Sequence, residues 1–258
     1  MTRRLLAIAA NTFRETVRNK ILYAIMAFAL ILIGLTNFIA DLSVGDFARV
    51  IVDLGLAGIH VFGVVAAVFV GITLISQELD RKTVFVILSK AVPRGEFIVG
   101  KALGLAATMA LTTFTMAAVL FAVHAGYRLG DGPEPGIFVA AAGIYLELVL
   151  LVCLASLFST FTTSTLSAIF TLSMFFIGHI TGDLIFFGKQ SGSPAVFGAA
   201  KALYYLLPNL ELFNWKNDVA YGTVRSLSRL WPALGYLVAY CGAVLSLAAL
   251  LFSRKDFK

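Results

Sequence analysis

Apolar residues in this chain are gathered into long unbroken runs rather than the alternating or striped patterns of water-soluble strands and helices. Six runs come close to or exceed the roughly 20 residues that an α-helix needs to cross a bilayer. They lie at 21–40, 54–76, 97–123, 137–158, 166–187 and 230–252. The pattern predicts an all-α, polytopic membrane protein with six transmembrane helices, forming one domain over residues 1–258.

The segments between the runs carry their own patterns. Residues 3–20 place Arg4, Asn11, Arg14, Glu15 and Arg18 on one helical face and Leu6, Ala9, Phe13 and Val17 on the other, which predicts an interfacial helix leading into the first span. The plainer reading is a basic flank that only orients that span. The sequence STFTTST at 159–165 reads as a tight cytoplasmic turn, and the Gly- and Pro-rich 127–136 as an external one. The longest non-spanning piece is 188–229. Within it Ser193 and Pro194 mark a helix start, and the apolar run that follows stops before Pro208. A run so short is re-entrant or interfacial, with Tyr204, Tyr205, Trp215 and Tyr221 forming an aromatic belt at the outer interface.

Composition sharpens the membrane reading. Of 258 residues, 60% are hydrophobic and 13% charged, against about 25% charged in ordinary soluble domains. The net charge of +6 sits beside apolar runs, without the basic-aromatic surface that would point to nucleic acid. Of the 20 Lys and Arg, 13 precede the first run, lie within residues 77–101, or follow the last run. The positive-inside bias then puts both termini in the cytoplasm of a multi-pass protein of the inner (plasma) membrane. The first run starts only at Ile21, too late and too long for a cleaved signal. Cys153 and Cys241 lie within spans, so a disulfide role is not expected of either.

Residues 77–101, QELDRKTVFVILSKAVPRGEFIVGK, hold eight charges between two apolar runs. Residues 80–89 read as a short cytoplasmic helix with Val84, Phe85, Ile87 and Leu88 on its apolar side, ended by Pro93. The order Glu78, Lys82-Thr83, Leu88, Pro93-Arg94, Glu96, Lys101 resembles the coupling segment of the ABC-2 type transporter permeases. The phrase from Leu207 to Asn214 is similar to one in the copper-enzyme-maturation branch of that family. The resemblance implies an elbow helix before the first span and a coupling helix between spans two and three that contacts an ATPase through Glu78, Arg81, Phe85, Leu88 and Arg94. It also implies re-entrant helices between spans five and six, a second copy of the permease and two cytoplasmic ATPase subunits. ATP and magnesium would then belong to those partners, and this chain would carry no cofactor. The stretch from Gly95 to Lys101 imitates a phosphate-binding loop, but Ala102 stands where a Ser or Thr is required and no strand precedes it.

Glu147 falls near the middle of the fourth span, where a charge is costly and functional by default. It is expected either to contact substrate or a proton, or to pack helices as a hydrogen-bonded carboxyl, with no basic partner evident within the spans. His60, His124, His179 and Asp183 map toward the outer half of the bilayer, but their spacing fits no metal motif and no metal is expected. No catalytic constellation can be read. Gly63, Ala67 and Gly71 in span two, and Ser167, Thr171 and Gly178 in span five, form small-residue stripes. They serve either packing within one subunit or, as the resemblance implies, a dimer interface around the translocation path. Gly100 and Gly104 add a GxxxG pair. Three functions follow: an ATP-driven exporter subunit, a mechanotransmission subunit acting on an external partner protein, or an ion-coupled secondary transporter using Glu147. The orientation is tested by labelling single cysteines in intact cells with an impermeant thiol reagent. Positions Thr2 and Lys258 are expected to be protected and Gly132 to be labelled, and labelling of either terminus reverses the topology.

Overall fold

The computed structural model describes residues 2–40, 47–80, 93–126, 136–216 and 230–254, by backbone alone at 37–40, 47–48, 73–80, 94 and 254. Among these residues the chain is helical without strands. The helices are α1 (Thr2–Val17), α2 (Lys20–Ala40), α3 (Phe47–Asp80), α4 (Arg94–Gly126), α5 (Gly136–Phe161), α6 (Ser164–Gln190), α7 (Pro194–Leu206) and α8 (Leu230–Arg254), with a 3-10 turn at Leu210–Phe213. Helices α3, α4, α5, α6 and α8 are each long and apolar enough to cross a membrane, and the bent pair α1–α2 makes a sixth. The protein is a multi-pass membrane protein, as the runs predict. At 34 residues α3 extends about 50 Å, well beyond a hydrocarbon core of about 30 Å.

Helix α5 is the central stave. It packs against α3, α4, α6, α8 and the 3-10 turn, and it is apolar on nearly every side with Glu147 its one charged residue, as suits a largely surrounded helix. Its hydroxyls are satisfied locally: Ser156 donates to the Val152 carbonyl at 2.7 Å and Thr160 to that of Leu157 at 2.7 Å. The link to α6 is only Thr162 and Thr163, braced by a 2.8 Å hydrogen bond between the Thr162 and Ser167 hydroxyls. The tight turn is therefore shorter than the STFTTST segment suggests, with 159–161 and 164–165 absorbed into the two helices.

Helices α1 and α2 meet at 60°. The bend falls at Arg18 and Asn19, where the Asn19 side-chain oxygen accepts the Ile21 N–H at 2.9 Å and so caps a new helix rather than continuing the old one. Helix α1 lies along α4. Leu6 is 68% exposed, and the buried positions are Thr12 and Thr16. The reason is Gly100 and Gly104 of α4. A methyl on Gly104 would lie 2.5 Å from the Ala9 carbonyl oxygen and 2.6 Å from the Thr12 Cβ. The small pair lets the two backbones approach, with Ile8 over Gly100 and Thr12 over Gly104.

The small-residue stripes are likewise filled within the chain. A methyl on Gly63 would meet Leu148 at 2.7 Å, one on Gly71 the Ala155 Cβ at 3.3 Å, and one on Gly178 the Leu210 Cγ at 2.6 Å, while Ala67, Ser167 and Thr171 are fully buried. Helix α7 starts at Pro194 behind Ser193 and ends at Leu206, as expected, and folds back on α6, with Ala200 against Gly188. Trp215 does not join an interfacial belt. It is buried, because Gly143 leaves room for its ring and for the Phe213 carbonyl. Tyr221 lies outside the described residues. Replacing Gly104 with Ala is expected to lower stability by about 1–3 kcal/mol through overpacking against backbone. Gly235→Ala, with nothing within 4 Å, is the neutral control. Thermal unfolding in detergent reads the difference, and equal midpoints for the two variants would refute the docking role of Gly104.

Candidate functional site

A buried polar cluster joins three of the spanning helices. His60 on α3 places Nε2 2.9 Å from Oε1 of Glu147 on α5, and His179 on α6 places its Nε2 3.5 Å from the same oxygen. Lys216, just beyond the 3-10 turn, sets Nζ 2.6 Å from Nδ1 of His60. Glu147 is 1% exposed. The expectation that it lacks a basic partner is thus corrected: its partners come from helices distant in sequence.

Proton positions follow from what each neighbour can accept. The Lys216 ammonium can only donate, so Nδ1 of His60 accepts and Nε2–H is left to donate to Glu147. Nδ1 of His179 lies 3.0 Å from the Phe175 carbonyl oxygen, which can only accept, so that nitrogen carries a proton and donates. Nε2 of His179 then faces the Glu147 carboxylate. Phe175 packs edge-on against His179, with ring centroids 4.8 Å apart, and lies 5.5 Å from His60, closing the apolar side of the cluster.

Local sequence sets each position. Pro208 ends the backbone pattern of α7, and the Asn209 N–H donates to the Tyr236 hydroxyl of α8 at 2.9 Å. Leu210 then enters the space over Gly178, and Phe213 with Trp215 the space over Gly143. The Trp215 ring N–H donates to the Leu212 carbonyl at 3.0 Å. This plug carries Lys216 down onto His60. Burial pushes the Lys216 amine below the usual lysine range, opposed by the nearby charges of Glu147 and Glu211.

The other sequence-flagged residues do not join. His124 is buried on α4 with neither ring nitrogen hydrogen-bonded among the described residues. Asp183, one turn beyond His179, is exposed. The thiols of Cys153 on α5 and Cys241 on α8, assigned no joint role from position, are in hydrogen-bond contact with each other. Of the coupling residues, Arg81, Phe85 and Leu88 lie outside the described residues, as do the side chains of Glu78 and Arg94. Residues 95–101 are continuous helix, not a phosphate-binding loop. Lys216 drew no notice in the sequence; its one signal is that it directly follows the aromatic phrase LFNW.

Chemically, the cluster can hold a cation or share a proton between a carboxylate and imidazoles. Glu147→Leu leaves two histidines facing apolar surface and is expected to destabilise the protein by about 3–5 kcal/mol. Glu147→Gln keeps an acceptor for His60 and should lose only about 1–2 kcal/mol. Thermal melts of both variants check this, and equal losses would mean that the hydrogen bonds contribute nothing.

Among known families, the one described as ABC-2 family transporter protein has a model that matches residues 6–257. No curated protein matches the sequence.

Proposed function

Because the chain belongs to the ABC-2 family of transporter proteins, we propose that it is the membrane-spanning permease subunit of an ATP-binding-cassette exporter. In this reading two copies work with two cytoplasmic ATPase subunits, which bind ATP and magnesium and carry out hydrolysis, while this chain provides the path and the coupling surface. The observation that carries it is a family match over nearly the whole length of a polytopic helical bundle. The charged segment at 77–101 supports it. Helices α3 and α4 pack side by side and bracket residues 81–92, so any push on that segment is passed directly to the two longest helices. An ion-coupled transporter centred on Glu147 would leave that segment without a task. Since the small-residue stripes are filled within the chain, the two copies meet through other faces, among which the outward sides of α6 and α8 are the most exposed.

The coupling assignment is tested at Phe85 and Leu88. Desolvated apolar anchors contribute more to binding than exposed charges. The double variant Phe85→Ala, Leu88→Ala is therefore expected to remain folded and inserted while weakening ATPase binding by about 2 kcal/mol or more, roughly 30-fold. Arg81→Glu should have a smaller effect that shrinks with added salt. Wild-type pull-down of the ATPase with normal coupling in the double variant would refute the coupling role.

A further inference from the structure

His60, Glu147 and His179 each offer one ligand atom, and the three atoms lie within 4.8 Å of one another. We propose that these side chains form a binding site for a divalent transition-metal ion of the zinc type, held inside the helical bundle by two imidazole nitrogens and one carboxylate oxygen. The inference concerns the cluster alone and does not depend on the transport reading.

Three observations carry it. The first is spacing. Ligand atoms around a tetrahedral zinc ion, at bonds of about 2.0–2.1 Å, stand roughly 3.3–3.4 Å apart. The two separations from Glu147 Oε1, 2.9 and 3.5 Å, bracket that value, and all three atoms fall within 4.8 Å, so a small inward turn of one ring completes the set. The second is orientation. The hydrogen bond from His179 Nδ1 to the Phe175 carbonyl fixes the ring and aims Nε2 inward, which is how outer partners hold metal-binding histidines. That nitrogen faces a carboxylate oxygen at 3.5 Å, an arrangement that calls for a proton or a metal ion between the two. The third is the donor set. Two imidazoles and one carboxylate suit zinc and its neighbours, whereas magnesium and calcium prefer all-oxygen sites and copper(I) prefers sulfur. The two described thiols are engaged with each other elsewhere.

Lys216 gives the site a built-in competitor. Ligation through His60 Nε2 moves the ring proton to Nδ1, where the lysine now donates at 2.6 Å. Ammonium and metal therefore oppose each other across one ring, and the cation is held reversibly rather than locked in.

The test uses full-length, tag-free protein, stripped with a chelator in detergent and titrated with Co2+. The expected result is a visible absorption band of low-coordinate Co2+ that saturates at one ion per chain and is displaced by Zn2+. Glu147→Gln and His179→Gln should each weaken binding by more than the roughly 10–100-fold that follows loss of an outer partner. Lys216→Met should tighten it, and His124→Ala should leave it unchanged. Size-exclusion profiles and helical circular dichroism verify the fold of each variant. If a variant does not fold, X-ray absorption of the Zn2+-loaded wild type decides: scattering from two imidazoles supports the site, and a shell of oxygen alone overturns it. Absence of the Co2+ band, or binding that both ligand variants retain, would also overturn it and leave the cluster as a proton-sharing lock between helices.

Discussion

An ionisable carboxyl cannot be left alone in the middle of a helical bundle, and much of this architecture answers to Glu147. In a medium of low dielectric its charge must be met by donors or cations. Helix α5 is surrounded on every side, so those groups have to come from its neighbours. His60 arrives from α3, His179 from α6, and Lys216 from the segment that folds back after α7. That segment can reach so deep only because Gly178 and Gly143 give it room. The polar cluster and the plug above it are thus one device, in which missing side chains on two helices make space for a lysine that follows the 3-10 turn.

The same rule recurs near the start of α4, where Gly100 and Gly104 admit α1. In both places glycines let an element outside the main bundle come close, with Leu210 and Trp215 in one case and Ile8 and Thr12 in the other seated over them. In lipid this is the expected economy, since van der Waals contact and local hydrogen bonds replace the hydrophobic drive that holds soluble helices together.

The spans and their order were legible because bilayer thickness imposes a length that composition shows directly. The start of α7 was legible from Ser193 and Pro194, whose roles are local. What the sequence hid depends on rotation and depth. The close approach of α1 to α4 was hidden because it depends on Gly100 and Gly104 of the partner helix, which the pattern of α1 does not show. Trp215 was placed at an interface because an aromatic residue in a loop carries no mark of the cavity that Gly143 leaves for it. The cluster itself was not readable. His60, Glu147 and His179 lie 13, 11 and 11 residues from the helix ends at Phe47, Gly136 and Gln190, all about 17–20 Å along their helices. Those ends emerge only in the structure; the apolar runs place Glu147 in mid-span and the histidines nearer the outer edge, and do not show which helices are neighbours.

The two-residue link between α5 and α6 makes those helices a pair of tongs. Glu147 and His179 sit on opposite jaws, each about 16 residues from the Thr162–Thr163 pivot, a lever arm of about 24 Å. Opening the jaws by about 5° would part the two side chains by about 2 Å, enough to break the 3.5 Å contact between them. A rotation too small to disturb the packing near the pivot is therefore read out at full amplitude where the charges meet. The contact between Glu147 and His179 is thus far more sensitive to the angle between the two helices than any contact near their link.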